Sequence, residues 1–349
     1  MHVTTVTYWC MLWFCEGVVE MRVIHRGLSV GSTAVVLMAG LAGCSPSTAP
    51  GPSAQAVELP GAGEDIDFDD VVYAAAMGSA LVPAREDGLY LLDPETGQAA
   101  DVPFSGSVDS VDAGQGGIFV LDCSGRQIQV LDPEGQVMSS VSTAAGADYV
   151  RYAAATKELW VSEPSREGIE IFTVDEDLET APRQVGFVPV PGGTKGLTLT
   201  SDGATAYTHA GNEVAKIDVK ARTVAARWAS GCEATHGFPR VDEGDGILLA
   251  SCAENGKVTL LDVNDGHIID EYEVGGGESL PAYSPGPDHF YVRSDPGTTI
   301  ATLAVSPQGL ELIREVQVPK VGHCLGADEE GHYWTCDAGA GQLLLFEDR

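Results

Sequence analysis

The residues best suited to chemistry lie in one short stretch, Gly231-Cys232-Glu233-Ala234-Thr235-His236-Gly237, and in the Cys252 that follows it in "LLASCAENG". Two thiols and an imidazole at this spacing have two uses. They form three soft-to-borderline metal ligands of the kind zinc accepts, or the thiols close a disulfide and leave the imidazole to act alone. A second set repeats the theme, with His323 beside Cys324 and Cys336 further on. The choice depends on the redox compartment, because disulfides persist where the medium is oxidising.

The N-terminal residues bear on export. Residues 1–20 precede a second plausible start at Met21 and read as an over-extended opening. Residues 21–43 carry Arg22 and Arg26 ahead of an apolar run, the order of a signal peptide. The run ends in "LAGC", Leu41 to Cys44, which resembles a bacterial lipobox. That resemblance implies lipidation of Cys44 and an extracytoplasmic lipoprotein anchored to the cell membrane. An ordinary secretory leader or an uncleaved anchor is the alternative. Residues 44–55 include a Ser/Pro/Gly/Ala stretch that cannot bury a core and reads as a tether. The net charge of −32 argues against a nucleic-acid partner, since phosphate binding needs clustered Lys and Arg.

The folded part, residues 56–349, must position the candidate groups. An aliphatic strand ending in Asp recurs at Asp93, Asp132, Asp175, Asp218 and Asp262, in steps of about 40 residues. Weaker copies end at Val305 and in "QLLLFED" at the chain's end. Gly- and Asp-containing turns separate two more short strands ahead of each copy. The pattern predicts an all-β fold, a seven-bladed β-propeller of four-stranded blades. The last blade lacks its outermost strand. Either "AVELPG" or "DIDFDD" is expected to supply it, closing the ring by pairing the N- and C-terminal segments and removing an exposed edge.

In such a ring the start of each first strand and the end of each second strand share one rim. His236, His323 and His209 fall there, with Asp109, Asp148 and Glu163 as oxygen ligands; Asp122 shares the rim. Three imidazoles with carboxylates suit zinc. The bland alternative is that each histidine is bonded to backbone. Cys324 and Cys336 flank the turn at Glu329–Gly331 symmetrically, and Cys232 and Cys252 bracket the entry to the fifth repeat. Each pair suits a disulfide, which leaves Cys123 over. The folded region shows no nucleophile elbow, His-Glu-x-x-His or phosphate loop, so a hydrolase of the propeller type ranks behind a binding protein and an interaction scaffold.

"GCEATHG" followed by "GILLASCAENGKVTLLD" resembles the corresponding segment of AztD-type extracytoplasmic zinc metallochaperones, within the broader YncE/YVTN-like propellers. That resemblance implies a seven-bladed fold, a Cys232–Cys252 disulfide, His236 near the channel, zinc as cargo and the solute-binding protein of an ABC importer as partner. A monomer is expected. Those chaperones carry a His-rich N-terminal stretch, whereas this chain has the acidic "AGEDIDFDD".

Overall fold

The computed structural model describes residues 53–104, 106–306 and 309–348. The leader, Cys44 and most of the tether lie outside the described residues, as do Cys10 and Cys15. Among the described residues, no helix is long and apolar enough to cross a membrane.

Seven four-stranded antiparallel sheets stand around a central channel. Blades one to six span residues 72–102, 110–142, 150–189, 197–229, 240–273 and 278–317, each a simple meander. Blade seven combines three strands between Leu325 and Glu347 with Gln55–Glu58 from the other end of the chain. Gln55 pairs Leu345 and Glu58 pairs Gln342 in an antiparallel ladder. "AVELPG" therefore supplies the closing strand. "DIDFDD" does something else: Ile66 and Phe68 sink into the core shared by blades one and seven, and its acids run on to the channel mouth.

The second and third strands of each blade are almost wholly buried because they are covered on both faces by neighbouring blades. The second strands Gly117–Asp122 and Glu158–Glu163 have no exposed residue, and Trp160 and Trp334 are 0 % exposed. Fourth strands mix half-buried with exposed positions, since only one of their edges is covered by a neighbouring strand. Hairpin registers place the two rims. Asp109, Asp148, Lys195 and His236 each donate a backbone N–H to the end of the second strand of their own blade: to Leu121, Ser162, His209 and Ser251. First-strand starts and second-strand ends thus share one face.

Candidate metal centre

Both cysteine pairs are disulfides. Cys232 and Cys252 are 5.3 Å apart at Cα, and Cys324 and Cys336 are 5.6 Å apart. Each bridge ties a segment entering a blade to the end of that blade's second strand, and each segment carries one imidazole. Beside the first bridge, Thr235 pairs Cys252 and its hydroxyl donates to Gly211 O at 2.7 Å. Gly237 then takes a left-handed φ of 52°, which side chains with a Cβ disfavour, and the chain turns between His236 and Phe238. Beside the second bridge, the fully buried Arg293 donates to Pro319 O at 3.2 Å and to Thr335 Oγ1. That guanidinium holds the loop leading to His323. The thiols are staples, and the imidazoles are what they position.

The result is a convergence of three ligands from three blades. His236, Glu278 and His323 bring one ligand atom each to within 4.8 Å of the others. His236 Nε2 lies 3.3 Å from Glu278 Oε2 without an aligned hydrogen bond. The two imidazoles stand edge to face, with centroids 5.4 Å apart. His323 Nδ1 is 3.2 Å from Asp295 Oδ2. A carboxylate on one imidazole nitrogen is the arrangement that fixes the tautomer and leaves the other nitrogen free as a ligand. The side chains are 14 %, 28 % and 32 % exposed for His236, Glu278 and His323, so the group is sheltered and still reachable.

Charge distribution suits a cation. Burial, then the neighbouring His323, Lys195 and His209, push His236 well below the ordinary imidazole value, which keeps it neutral and able to ligate. His323 goes the other way: burial opposes the charge, but the Asp295 hydrogen bond, Asp69 and Glu278 outweigh it and raise the value. Glu278 is raised by burial, partly offset by His323 and Lys195. Beneath the imidazoles, Tyr149 and Phe238 pack edge to face at 4.6 Å across the channel. The Arg151 guanidinium sits 4.6 Å and that of Arg240 5.0 Å from the Phe238 centroid. A small cavity between, lined by Asp69, Tyr149, Phe238 and His323, lies under the site.

Four of the six expected ligands stand outside this group. His209 does not join the pair. It is 0 % exposed. Its Nδ1 bonds Gly237 O at 3.0 Å, and its Nε2 accepts the Ser251 N–H at 3.4 Å. A carbonyl on one nitrogen and an N–H on the other fix the tautomer with the proton on Nδ1. Both partners belong to the segment and strand of blade five, so His209 is a bolt between blades. Asp109 accepts from Arg85 at 2.5 Å and from the Cys123 N–H at 2.8 Å, which commits its oxygens. Among the described residues, Asp148 and Glu163 belong to no group of three converging donor atoms. Burial and then Asp69 raise Asp148 to about 7. Three of the four acids of "DIDFDD" are ion-paired: Asp67 and Asp69 with Arg85 at 2.9 and 2.6 Å, and Asp70 with Arg151.

Burial holds His209 at about 4, against 6.5 when exposed. Its folded value is the lower one, so its stabilising contribution is present above pH 6.5 and is lost as pH falls through about 4. At 1.36 kcal/mol per unit the loss amounts to about 3 kcal/mol. A His209→Gln variant should show a flatter decline of Tm between pH 6.5 and 4 than the parent, with metal content unchanged. Loss of metal in that variant with the fold intact would contradict the structural role.

Glu278 was not singled out from sequence, although a signal existed. It opens the first strand of blade six after "GGG", the position that His236 and His323 hold ahead of blades five and seven.

No protein-family model matches the chain, and no curated protein matches it. Solved structures do. The β-propeller domain of Myceliophteria thermophila Cps50 (Swd1) is 12 % identical, with 85 % of this chain and all of that one covered and a TM-score of 0.67. The chain is a β-propeller. The WD40 β-propeller domain of Doa1 aligns at 10 % identity over 85 % of this chain and 97 % of that one, TM-score 0.66. Hydrazine synthase of Kuenenia stuttgartiensis aligns at 12 % identity over 88 % and 99 %, TM-score 0.66. Identities this low establish the fold alone; they say nothing narrower about the metal chaperones or the YncE-like group.

Proposed function

We propose that this propeller is a non-enzymatic metal-binding protein that holds a divalent transition metal, zinc by the character of its donors, at one mouth of its channel. The observation that carries this reading is the convergence of His236, His323 and Glu278 within 4.8 Å, with His323 oriented by Asp295. Two imidazoles and a carboxylate are a zinc-type donor set with a fourth position open. Three ligands at a partly exposed mouth favour exchange over permanent retention, which suits cargo handed to a partner. An exported, Cys44-anchored lipoprotein delivering zinc to an importer's solute-binding protein fits two disulfides and an acidic surface.

A metal-free interaction scaffold is the second reading. Ile268, Ile269, Leu312 and Ile313, each 39–45 % exposed, lie on the fourth strands of blades five and six. Those strands are tied together where the Leu310 N–H donates to Asp270 Oδ2 at 2.8 Å.

Metal content separates the two. Protein produced in an oxidising compartment and purified without chelator or polyhistidine tag should carry zinc at near-stoichiometric amounts by mass spectrometry, or bind added zinc by calorimetry. His236→Ala/His323→Ala should lose it, with Tm little changed. Asp295→Asn should weaken binding by about 10–100-fold, the usual effect of removing an orienting carboxylate. A folded parent that neither carries nor binds zinc would sink the metal reading and direct attention to the apolar outer strands.

A further inference from the structure

Past the packed rings of Phe238 and Tyr149, a second cavity of about 770 Å³ reaches the hairpin turns of the face opposite the imidazoles. Its walls come from blade one and from blades four to seven. Sites for drug-sized ligands span about 300–1,000 Å³, so the space is large enough to hold a molecule of that kind.

Arg240 stands at the inner end. It opens the first strand of blade five, Arg240–Asp242, and lines both this cavity and the small one under the imidazoles. Its Nε donates to Pro281 O at 2.9 Å, and its Cζ lies 5.0 Å from the Phe238 centroid, so the guanidinium is held in place. Among the described residues, Nη1 and Nη2 have no acceptor and no carboxylate is within ion-pair distance, and both nitrogens remain reachable by solvent. Asp70, the acid that supports this charge, is already held in a two-pronged pair with Arg151. Burial and then Arg151 lower Arg240 to about 10, which leaves it protonated at neutral pH. A half-buried cation with unused N–H donors gains from an anion, and the planar fork of a guanidinium matches a carboxylate.

The outer end has the opposite sign. Asp245, Asp288 and Glu329 are exposed on the turns of blades five, six and seven, and Arg240 is the one basic residue among those lining the cavity. Between the two ends, Val71, Val72, Leu199 and Ala282 supply apolar wall. A simple anion is repelled at such an entrance, whereas a molecule with an ammonium at one end and a carboxylate at the other meets complementary charge at both. Arg240 and the turn at Glu243 are three strand residues apart, about 10 Å at roughly 3.3 Å per residue. A single amino acid carries both charges on one carbon and does not span that length; an extended tripeptide does.

We propose that this half of the channel binds a short zwitterionic peptide, with its terminal carboxylate on Arg240 and its terminal ammonium among the turn acids. The turn acids alone would accept any cation. The unpaired guanidinium at the inner end is what demands a carboxylate. No residue of the imidazole mouth takes part, so the site stands or falls separately from the metal reading.

The test is calorimetric titration of the whole protein, at neutral pH and constant ionic strength, with the tripeptide Ala-Ala-Leu, its C-terminal amide, its N-acetylated form and inorganic phosphate. A Kd on the order of 10⁻⁵–10⁻³ M is expected for the free peptide, given its size. Each blocked form should bind at least about 10-fold more weakly, and Arg240→Met should weaken binding of the free peptide at least about 10-fold. If that variant folds poorly, the comparison of the three peptides on the parent protein decides alone. His236→Ala/His323→Ala should bind the peptide as the parent does. Absence of binding in that range, equal binding of the free peptide and either blocked form, phosphate bound as tightly as the peptide, or undiminished binding by folded Arg240→Met would each overturn the proposal.

Discussion

Asp70→Ala should be the most damaging single substitution at the channel mouth, lowering stability by about 3–5 kcal/mol. Asp70 is 4 % exposed and accepts a two-pronged pair from Arg151, Nη1 to Oδ2 and Nη2 to Oδ1, each at 2.6 Å. It also accepts the Ser110 hydroxyl at 2.6 Å, and Ser110 Oγ in turn accepts the Val150 N–H at 3.1 Å. One carboxylate thus joins the segment ahead of blade one to blades two and three. Removing it strands a guanidinium that is 5 % exposed, and an uncompensated buried charge costs more than the pair gains. The expected fall in Tm is about 6–15 °C. Asp70→Ala/Arg151→Met should recover more than half of that, since the double change removes the orphaned charge. A double variant as unstable as the single would show that the lost hydrogen bonds, and not the stranded charge, set the cost.

Glu163→Gln should raise stability at alkaline pH and leave it nearly unchanged at pH 5. Glu163 is 0 % exposed and neither oxygen has a hydrogen-bond donor. Burial, and then the neighbouring Glu170 carboxylate, raise it to about 8, with Arg166 pulling the other way and Asp148 adding to the rise. Arg166 and the Gln184 amide both donate to Glu170, at 2.6 and 2.8 Å, and not to Glu163. The folded value exceeds the unfolded 4.5, so this group's contribution is fully present below pH 4.5 and is lost as pH rises through about 8. A neutral amide of the same shape removes that dependence. Between pH 5 and 9 the difference in stability should grow by about 4 kcal/mol, read as a Tm difference opening with pH. Parallel Tm profiles for parent and variant would mean that Glu163 ionises freely in the folded state.

Nitrogen donors gather at the mouth where the disulfides end. The chain's −32 charge is not all open to solvent cations: Asp67, Asp69, Asp70 and Asp109 are paired with two arginines.

How much of this was legible beforehand follows from the range of the interactions. The period of about 40 residues, with its strand-turn-strand content, determined the seven blades, because each blade is a local meander whose contacts are mostly within one repeat. Ring closure followed from the missing strand, since an open edge cannot be left unpaired. The pairing of Cys324 with Cys336 was readable from their symmetry about one turn. Placement of His209, His236 and His323 on one rim was readable from register as well.

Tertiary structure alone decided which way each side chain faces and what lies across the channel. Successive strand residues point to opposite faces, so an uncertainty of one position is enough to send His209 into the joint between blades instead of the mouth. Glu278, His236 and His323 stand in three different blades, and their mutual distance depends on how blades rotate about the channel axis. No repeat pattern encodes that angle. The same holds for Arg85 and Arg151, which pair with Asp67, Asp69 and Asp70. The repeat specifies each blade from within; the sites are made between blades, where side-chain packing sets the spacing.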